Sequence, residues 1–289
     1  MTHTLEGPET ARFENKYNTA PNESSVTDQI TADKVLDGRD LKAGEFRFEL
    51  VEGNDVVARG TNAADGKITM DKITYTEAGT HTYTLREVKV DADNGITYST
   101  AAYTIVTTVT DDGNGKLTVK HELQDVEKAI FENAYSVTPV NSSVTDQITA
   151  TKVLTGRDLK EGEFSFELVE GNDVVATGKN DARGKIKMSP IEYTAAGNHT
   201  YTLREANGGT TSKGITYDDK TYTIVTTITD KGDGTLEAKH ELKGAEDVQS
   251  IKFENTYSVT PLETEVDFGL SKAIDGRDWT DGDKFSFTC

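Results

Sequence analysis

Residues 24–60 return almost unchanged at 142–178: the stretches align without gaps, and 32 of 37 positions are identical. The match resumes at Thr82-Tyr83-Thr84-Leu85-Arg86-Glu87 against Thr200-Tyr201-Thr202-Leu203-Arg204-Glu205. It resumes again at Tyr103–Thr108 against Tyr222–Thr227, and each copy closes with Phe131-Glu132-Asn133 or Phe253-Glu254-Asn255. Lys34 and Lys152 stand 118 residues apart, and Asn133 and Asn255 stand 122 apart. That period is too long for a solenoid unit and fits an independent domain. Repeat 1 is placed at 21–139 and repeat 2 at 140–261.

Fragments of the same unit flank the two copies. Phe13-Glu14-Asn15 reads as the closing strand of an upstream repeat within 1–20. Residues 262–289 read as the opening strands of a downstream one, with Lys272 in the lysine position and Gly276-Arg277-Asp278 echoing Gly38-Arg39-Asp40. The chain is therefore expected to be a piece of a longer tandem array. The joints are short and carry Pro139 and Pro261. Proline fixes φ, so a fairly stiff rod of domains is expected.

The strand signal is all-β. Thr, Val, Ile and Tyr alternate in short runs broken by Gly, Asn and Asp. Asp112-Gly113-Asn114-Gly115 and Lys231-Gly232-Asp233-Gly234 look like hairpin turns. Seven or more strands per unit predict tandem immunoglobulin-like β-sandwich domains.

Parity then sorts side chains by face. Ile30, Ala32, Lys34 and Leu36 share one face; so do Tyr83, Leu85 and Glu87, and so do Phe131, Asn133 and Tyr135. Repeat 2 gives Lys152, Glu205 and Asn255 at the same phases. Three polar groups thus occupy core positions on three strands. Buried unpaired charge costs several kcal/mol, so they must meet one another or stay out of the core.

If they meet, they can react. Desolvation lowers the lysine pKa and raises that of the glutamate. The neutral amine then attacks the asparagine carboxamide, and Glu87 or Glu205 polarises the carbonyl as an acid and relays the proton to the departing ammonia. The product is a Lys34–Asn133 or Lys152–Asn255 isopeptide bond, formed once per domain, which is not enzymatic turnover. The residues alone leave a second reading open: a buried Lys–Glu salt bridge with asparagine as hydrogen-bond partner. Asn15 and Lys272 lack partners of their own unit and are expected to remain unreacted remnants.

The pattern 152–168, then Tyr-Thr-Leu-Arg-Glu at 201–205, then Phe-Glu-Asn-Thr-Tyr at 253–257, resembles the streptococcal pilin isopeptide linkage domain. That family is found in Gram-positive pilins and cell-wall adhesins, and is similar in chemistry to the B-type repeats of collagen adhesins. The resemblance covers both full units and the two fragments. It implies that Lys34 and Lys152 bond Asn133 and Asn255, assisted by Glu87 and Glu205. No pilin-type sorting lysine motif or cell-wall sorting signal is visible in this stretch.

Other chemistry finds little footing. A net charge of −19 argues against nucleic acid and against anionic lipid. Cys289 is the only cysteine, so no internal disulfide can form. The paired histidines, His81/His199 and His121/His240, read as structural, with no metal or cofactor expected. Asp91–Gly95 hints at calcium but is not kept in the second copy. No serine–histidine–acid set repeats with sensible spacing.

These readings converge on a structural stalk of an extracellular, cell-wall-attached surface protein. Its expected partners are neighbouring repeats of the same chain, with host ligands reached through a distal region outside it. The chain is expected to be a monomer that neither binds nucleic acid nor enters a membrane. The alternative is an adhesive module that contacts host matrix, glycan or a partner pilin directly.

Overall fold

The computed structural model describes residues 12–90, 94–244, 250–263 and 269–286. The described residues of each repeat fold as strands, with single 3₁₀ turns at Val26–Asp28 and Val144–Asp146 as the only helical pieces among them. Each turn carries a capping box: Ser25 or Ser143 accepts from the turn, while Asp28 or Asp146 accepts from the cap amide. No described helix is long and apolar enough to cross a membrane.

Repeat 1 runs β1 (Asn22–Ser24), β2 (Thr31–Asp37), β3 (Arg47–Glu52), β4 (Asp55–Asn62), β5 (Ile68–Met70) and β6 (Ile73–Tyr75). It continues with β7 (Gly79–Glu87), β8 (Ile96–Thr97), β9 (Ala102–Asp111), β10 (Leu117–Leu123) and β11 (Lys128–Tyr135). One sheet orders β10-β9-β7-β3-β4-β5, and the facing sheet orders β2-β11-β8. β1 pairs with β6 at the side.

Repeat 2 repeats this plan. Thr149–Thr155, Ser250–Tyr257 and Ile215–Thr216 form its smaller sheet, to which Thr211–Ser212 adds an extra edge. The tandem sandwich predicted from strand spacing is therefore present.

The core lies between the sheets. In β11 burial alternates strictly, with Ala129, Phe131, Asn133 and Tyr135 inward. Phe131 packs on Phe48 of the facing sheet at 5.1 Å between ring centroids, and Phe253 on Phe166 at 5.2 Å. Burying each such side chain contributes about 1.5–3 kcal/mol.

The lysine-bearing strand and the last strand of each sandwich are neighbours. β2 and β11 pair in parallel, as do Thr149–Thr155 and Ser250–Tyr257. β2 and β11 therefore start at the same end of the sheet, and the chain enters at one end and leaves at the other.

The flanking fragments do not form the strands that their sequences suggest. Phe13-Glu14-Asn15 is not a strand, and Phe13 is 92% exposed. No strand occurs among the described residues of 262–289, and Leu270 is 67% exposed. A strand in water needs a partner to satisfy its backbone and cover its apolar face, and among the described residues neither 12–19 nor 269–286 pairs with another strand. Phe268, Cys289 and the Asp91–Asp93 part of the calcium-like stretch lie outside the described residues.

Candidate functional site

The β2–β11 register sets Lys34 beside Phe131 and Asn133 beside Leu36. Lysine and asparagine are thus diagonal neighbours on one face, two residues out of step, and a long side chain can span that gap. Glu87 ends β7 in the opposite sheet, level with Phe48. It reaches across the sandwich to the pair. Repeat 2 uses the same offsets, with Lys152 beside Phe253 and Asn255 beside Leu154.

The three groups meet in both repeats. Lys34 Nζ lies 3.1 Å from Glu87 Oε1 and 3.4 Å from Oε2, and donates to the Phe131 carbonyl at 3.1 Å. Asn133 Nδ2 donates to Glu87 Oε1 at 2.9 Å. In repeat 2, Lys152 Nζ lies 2.8 Å from Glu205 Oε2, and Asn255 Nδ2 donates to Glu205 Oε1 at 2.8 Å. The lysine side chains are 0% exposed and the glutamates 1%. Each ammonium also lies over a phenylalanine ring, Phe46 at 4.5 Å and Phe164 at 4.7 Å.

This enclosure controls protonation. Burial pushes the Lys34 amine below the ordinary lysine range, against the opposing pull of the Glu87 charge. Burial likewise pushes Glu87 above the usual carboxylate range, against Lys34. Lys152 is pushed down by burial in the same way. In repeat 1 both shifts favour moving the proton from amine to carboxylate, which leaves a neutral nucleophile beside a carboxylic acid.

One feature differs from the sequence expectation. The asparagine oxygen does not face the glutamate. Asn133 Oδ1 accepts from the Ser99 backbone amide at 2.7 Å, and Asn255 Oδ1 accepts from the Asp218 amide at 2.8 Å. The glutamate instead touches the carboxamide nitrogen. A backbone N–H therefore sits on the carboxamide oxygen, and the glutamate lies between the lysine amine and the carboxamide nitrogen. Sequence reasoning missed both donors, because a backbone amide leaves no side-chain signature and the residue types differ between repeats.

The remnants are not brought into any such site. Asn15 is exposed and outside a strand. Lys272 is exposed, with its Nζ 5.0 Å from the centre of the Phe285 ring.

A second buried polar cluster also recurs. Ser24 Oγ is 2.8 Å from His121 Nε2, and Thr107 Oγ1 is 2.8 Å from His121 Nδ1. Ser142, His240 and Thr226 repeat it at 2.7 Å for both contacts. The third member is a threonine, not an acid, and the histidine is about as buried as the core phenylalanines. Burial pushes both imidazoles down, so they are neutral and tie the core together. His81 and His199 instead lie near the surface against Glu52 and Glu170, stacked on Tyr83 and Tyr201. No group of three or more potential ligands for a metal occurs among the described residues.

A family model described as FctA, Spy0128-like isopeptide containing domain, matches residues 30–136 and 148–258. No curated protein matches the chain. Similar solved structures include the major pilin protein (T-13) from Streptococcus pyogenes, at 17% identity, covering 83% of this chain and 100% of that one, with a TM-score of 0.29. A C-terminal fragment of the pilus adhesin SpaC from Lactobacillus rhamnosus GG has 16% identity over 81% of this chain and 100% of that one, with a TM-score of 0.25. BcpA, the major pilin subunit of Bacillus cereus, has 11% identity over 82% and 100%, with a TM-score of 0.17. Overlays this loose carry no argument of their own.

Proposed function

For a chain that belongs to the FctA family of Spy0128-like isopeptide-containing domains, we propose the role of a tension-bearing stalk in which each sandwich is locked by its own Lys–Asn bond. The coarser role, a structural one of the pilus and adhesin type, follows from that membership. The finer one rests on one observation above all. In both repeats a single buried carboxylate is within hydrogen-bond distance of the lysine amine and of the asparagine carboxamide nitrogen.

The chemistry balances without a cofactor. Lys34 gives one proton to Glu87, and the neutral amine attacks Asn133 Cγ. The Ser99 N–H holds the oxygen on which negative charge develops. The new C–N bond forms, the amine's second proton passes through Glu87 to the carboxamide nitrogen, and ammonia leaves. Lys152, Glu205, Asn255 and the Asp218 amide do the same in repeat 2. The fold supplies proximity, which carries much of the rate.

A bond between Lys34 and Asn133 closes a loop of about 100 residues. By analogy with a disulfide it removes unfolded-state entropy worth about 4–5 kcal/mol. It also ties together the strands by which the chain enters and leaves. Tension then passes from β2 to β11 through a covalent link, and the strands that lie between them in sequence are bypassed. The localisation that goes with this role is the surface of a Gram-positive cell, with neighbouring repeats as the principal partners.

Intact mass tests the reading. The wild-type chain is expected to be lighter than its sequence by two ammonia equivalents, and Glu87→Ala by one. A wild-type mass equal to the sequence sum rules the bond out and leaves a buried salt bridge in its place.

A further inference from the structure

The joint between repeats is built around the tyrosine that ends each closing strand. Tyr135, the last residue of β11, is 7% exposed. Its hydroxyl donates to Asp230 Oδ1 at 2.6 Å and accepts from the Gly234 amide at 3.1 Å. Asp230 and Gly234 bracket the hairpin turn of repeat 2. Three residues past the tyrosine, the Thr138 amide donates to the Gly234 carbonyl at 2.8 Å. The backbones of Gly95 and Gly234 approach so closely that a Cβ on either would lie 2.7 Å from the other's Cα.

Repeat 1 holds the tyrosine from behind with its Gly38-Arg39 pair. The Arg39 guanidinium covers the Tyr135 ring at 4.6 Å, and it is itself paired with Glu45. Gly38 has φ +93, and a Cβ there would sit 2.2 Å from the Tyr135 carbonyl oxygen.

The same contact occurs a second time, with different chain behind it. The Tyr17 hydroxyl donates to Asp111 Oδ1 at 2.9 Å and accepts from the Gly115 amide at 2.6 Å. Three residues on, the Ala20 amide donates to the Gly115 carbonyl at 2.8 Å. Tyr17 closes Phe13-Glu14-Asn15-Lys16-Tyr17, which is not in a strand here. The tyrosine and the residue three positions on make the same bonds in both places, although the residues before Tyr17 are not in a strand and those before Tyr135 are. Tyr257 is prepared alike: Arg157 lies over its ring at 4.8 Å, and a Cβ on Gly156 would meet its carbonyl oxygen at 2.1 Å.

We propose that the closing tyrosine is the plug by which one repeat docks on the next, and that the socket is an Asp-xxx-Gly hairpin: Asp111 to Gly115 in repeat 1, Asp230 to Gly234 in repeat 2. The carboxylate accepts the phenol proton and the glycine amide donates to the phenol oxygen, so phenylalanine would not be recognised. Joint stiffness then comes from this pairing rather than from Pro139. The partner that fits the Tyr257 end is the same hairpin on another repeat of this kind. The joint stands whether or not the cross-link within each repeat forms.

Amide hydrogen exchange on the full chain tests it, using Tyr135→Phe, Asp230→Ala and Tyr17→Phe. The first two are expected to speed exchange at Thr138 and Gly234 about tenfold, as expected when a charge-assisted hydrogen bond is lost. They should also broaden the distance distribution between spin labels placed in the two repeats. Amides of Phe131–Asn133 should not change, and each variant's mass deficit relative to its own sequence should equal that of the wild type. Tyr17→Phe should speed Ala20 and Gly115 only. Unchanged exchange at Thr138 and Gly234 in both joint variants, with an unchanged distance distribution, would overturn the plug.

Discussion

Lys34 and Lys272 open nearly the same heptapeptide, Lys-Val-Leu-Asp-Gly-Arg-Asp against Lys-Ala-Ile-Asp-Gly-Arg-Asp. Their fates diverge within a few residues of chain. The local part of the motif forms in both places. Arg277 pairs with Asp283 at 2.6 Å, six residues on, as Arg39 pairs with Glu45. The Thr280 amide donates to Asp283 as the Lys42 amide donates to Glu45. Gly276 takes φ +90 where Gly38 takes +93. Only the distant part differs: Lys34 is 2% exposed between two sheets, while Lys272 is exposed and outside any strand. The turn is thus encoded by neighbours in sequence. The buried lysine is a product of strands about 50 and 100 residues away, which the long separations of its contacts make plain.

Substituting the two lysines breaks this contrast most sharply. Lys34→Met leaves Glu87 buried without its partner and removes the amine for the cross-link. Repeat 1 should lose at least about 3–5 kcal/mol. Lys272→Met should stay within about 0.5 kcal/mol in either repeat. Thermal unfolding of the full chain, followed by calorimetry, checks both. Equal effects would mean that the fragment also folds around its lysine.

The glycines sharpen the same point at smaller scale. Gly38→Ala must shift the Tyr135 backbone as well as adopt an unfavourable φ, and should cost about 1–3 kcal/mol in repeat 1. Nothing lies within 4 Å of a Cβ at Gly276, so Gly276→Ala should leave both repeats unchanged. Denaturant midpoints of the two variants make the comparison.

The smallest effect distinguishes the repeats from the fragments by pH. Burial holds His121 and His240 below the ordinary histidine pKa of about 6.5. Their contribution is complete above that value. Below it the unfolded chain binds protons that the folded chain refuses, so stability falls as pH falls. Urea unfolding at stepped pH should show the decline beginning near pH 6.5. His121→Gln with Ser24 retained should flatten it for repeat 1 only.

Much of the site was legible because strand parity is rigid. Lys34, Glu87 and Asn133 each fell at an inward phase beside obvious core residues such as Ala32, Leu85 and Phe131, and the repeat gave every assignment a second reading. The same logic pointed to two faces and a tandem sandwich. Parity gives a direction but not a neighbour, which is why the Ser24–His121–Thr107 cluster stayed hidden. Its members are 97 and 14 residues apart, and a serine or threonine at core phase is too common to stand out. The Ser99 and Asp218 amides were beyond reach for another reason. They lie in loops whose sequences diverge, and what is kept is a backbone donor. The fragments carry the strand pattern without forming strands among the described residues, because a pattern states what a segment would do with a partner and says nothing of whether one is there.

Parallel pairing of the lysine-bearing and last strands has a consequence for growth. A unit whose entrance and exit lie at opposite poles can be copied in line without the polypeptide doubling back. Each added copy brings its own lysine, glutamate and asparagine, together with a tyrosine at one pole and a hairpin at the other. Reach can then be lengthened or shortened by whole modules through duplication or deletion, with no other part of the architecture redesigned.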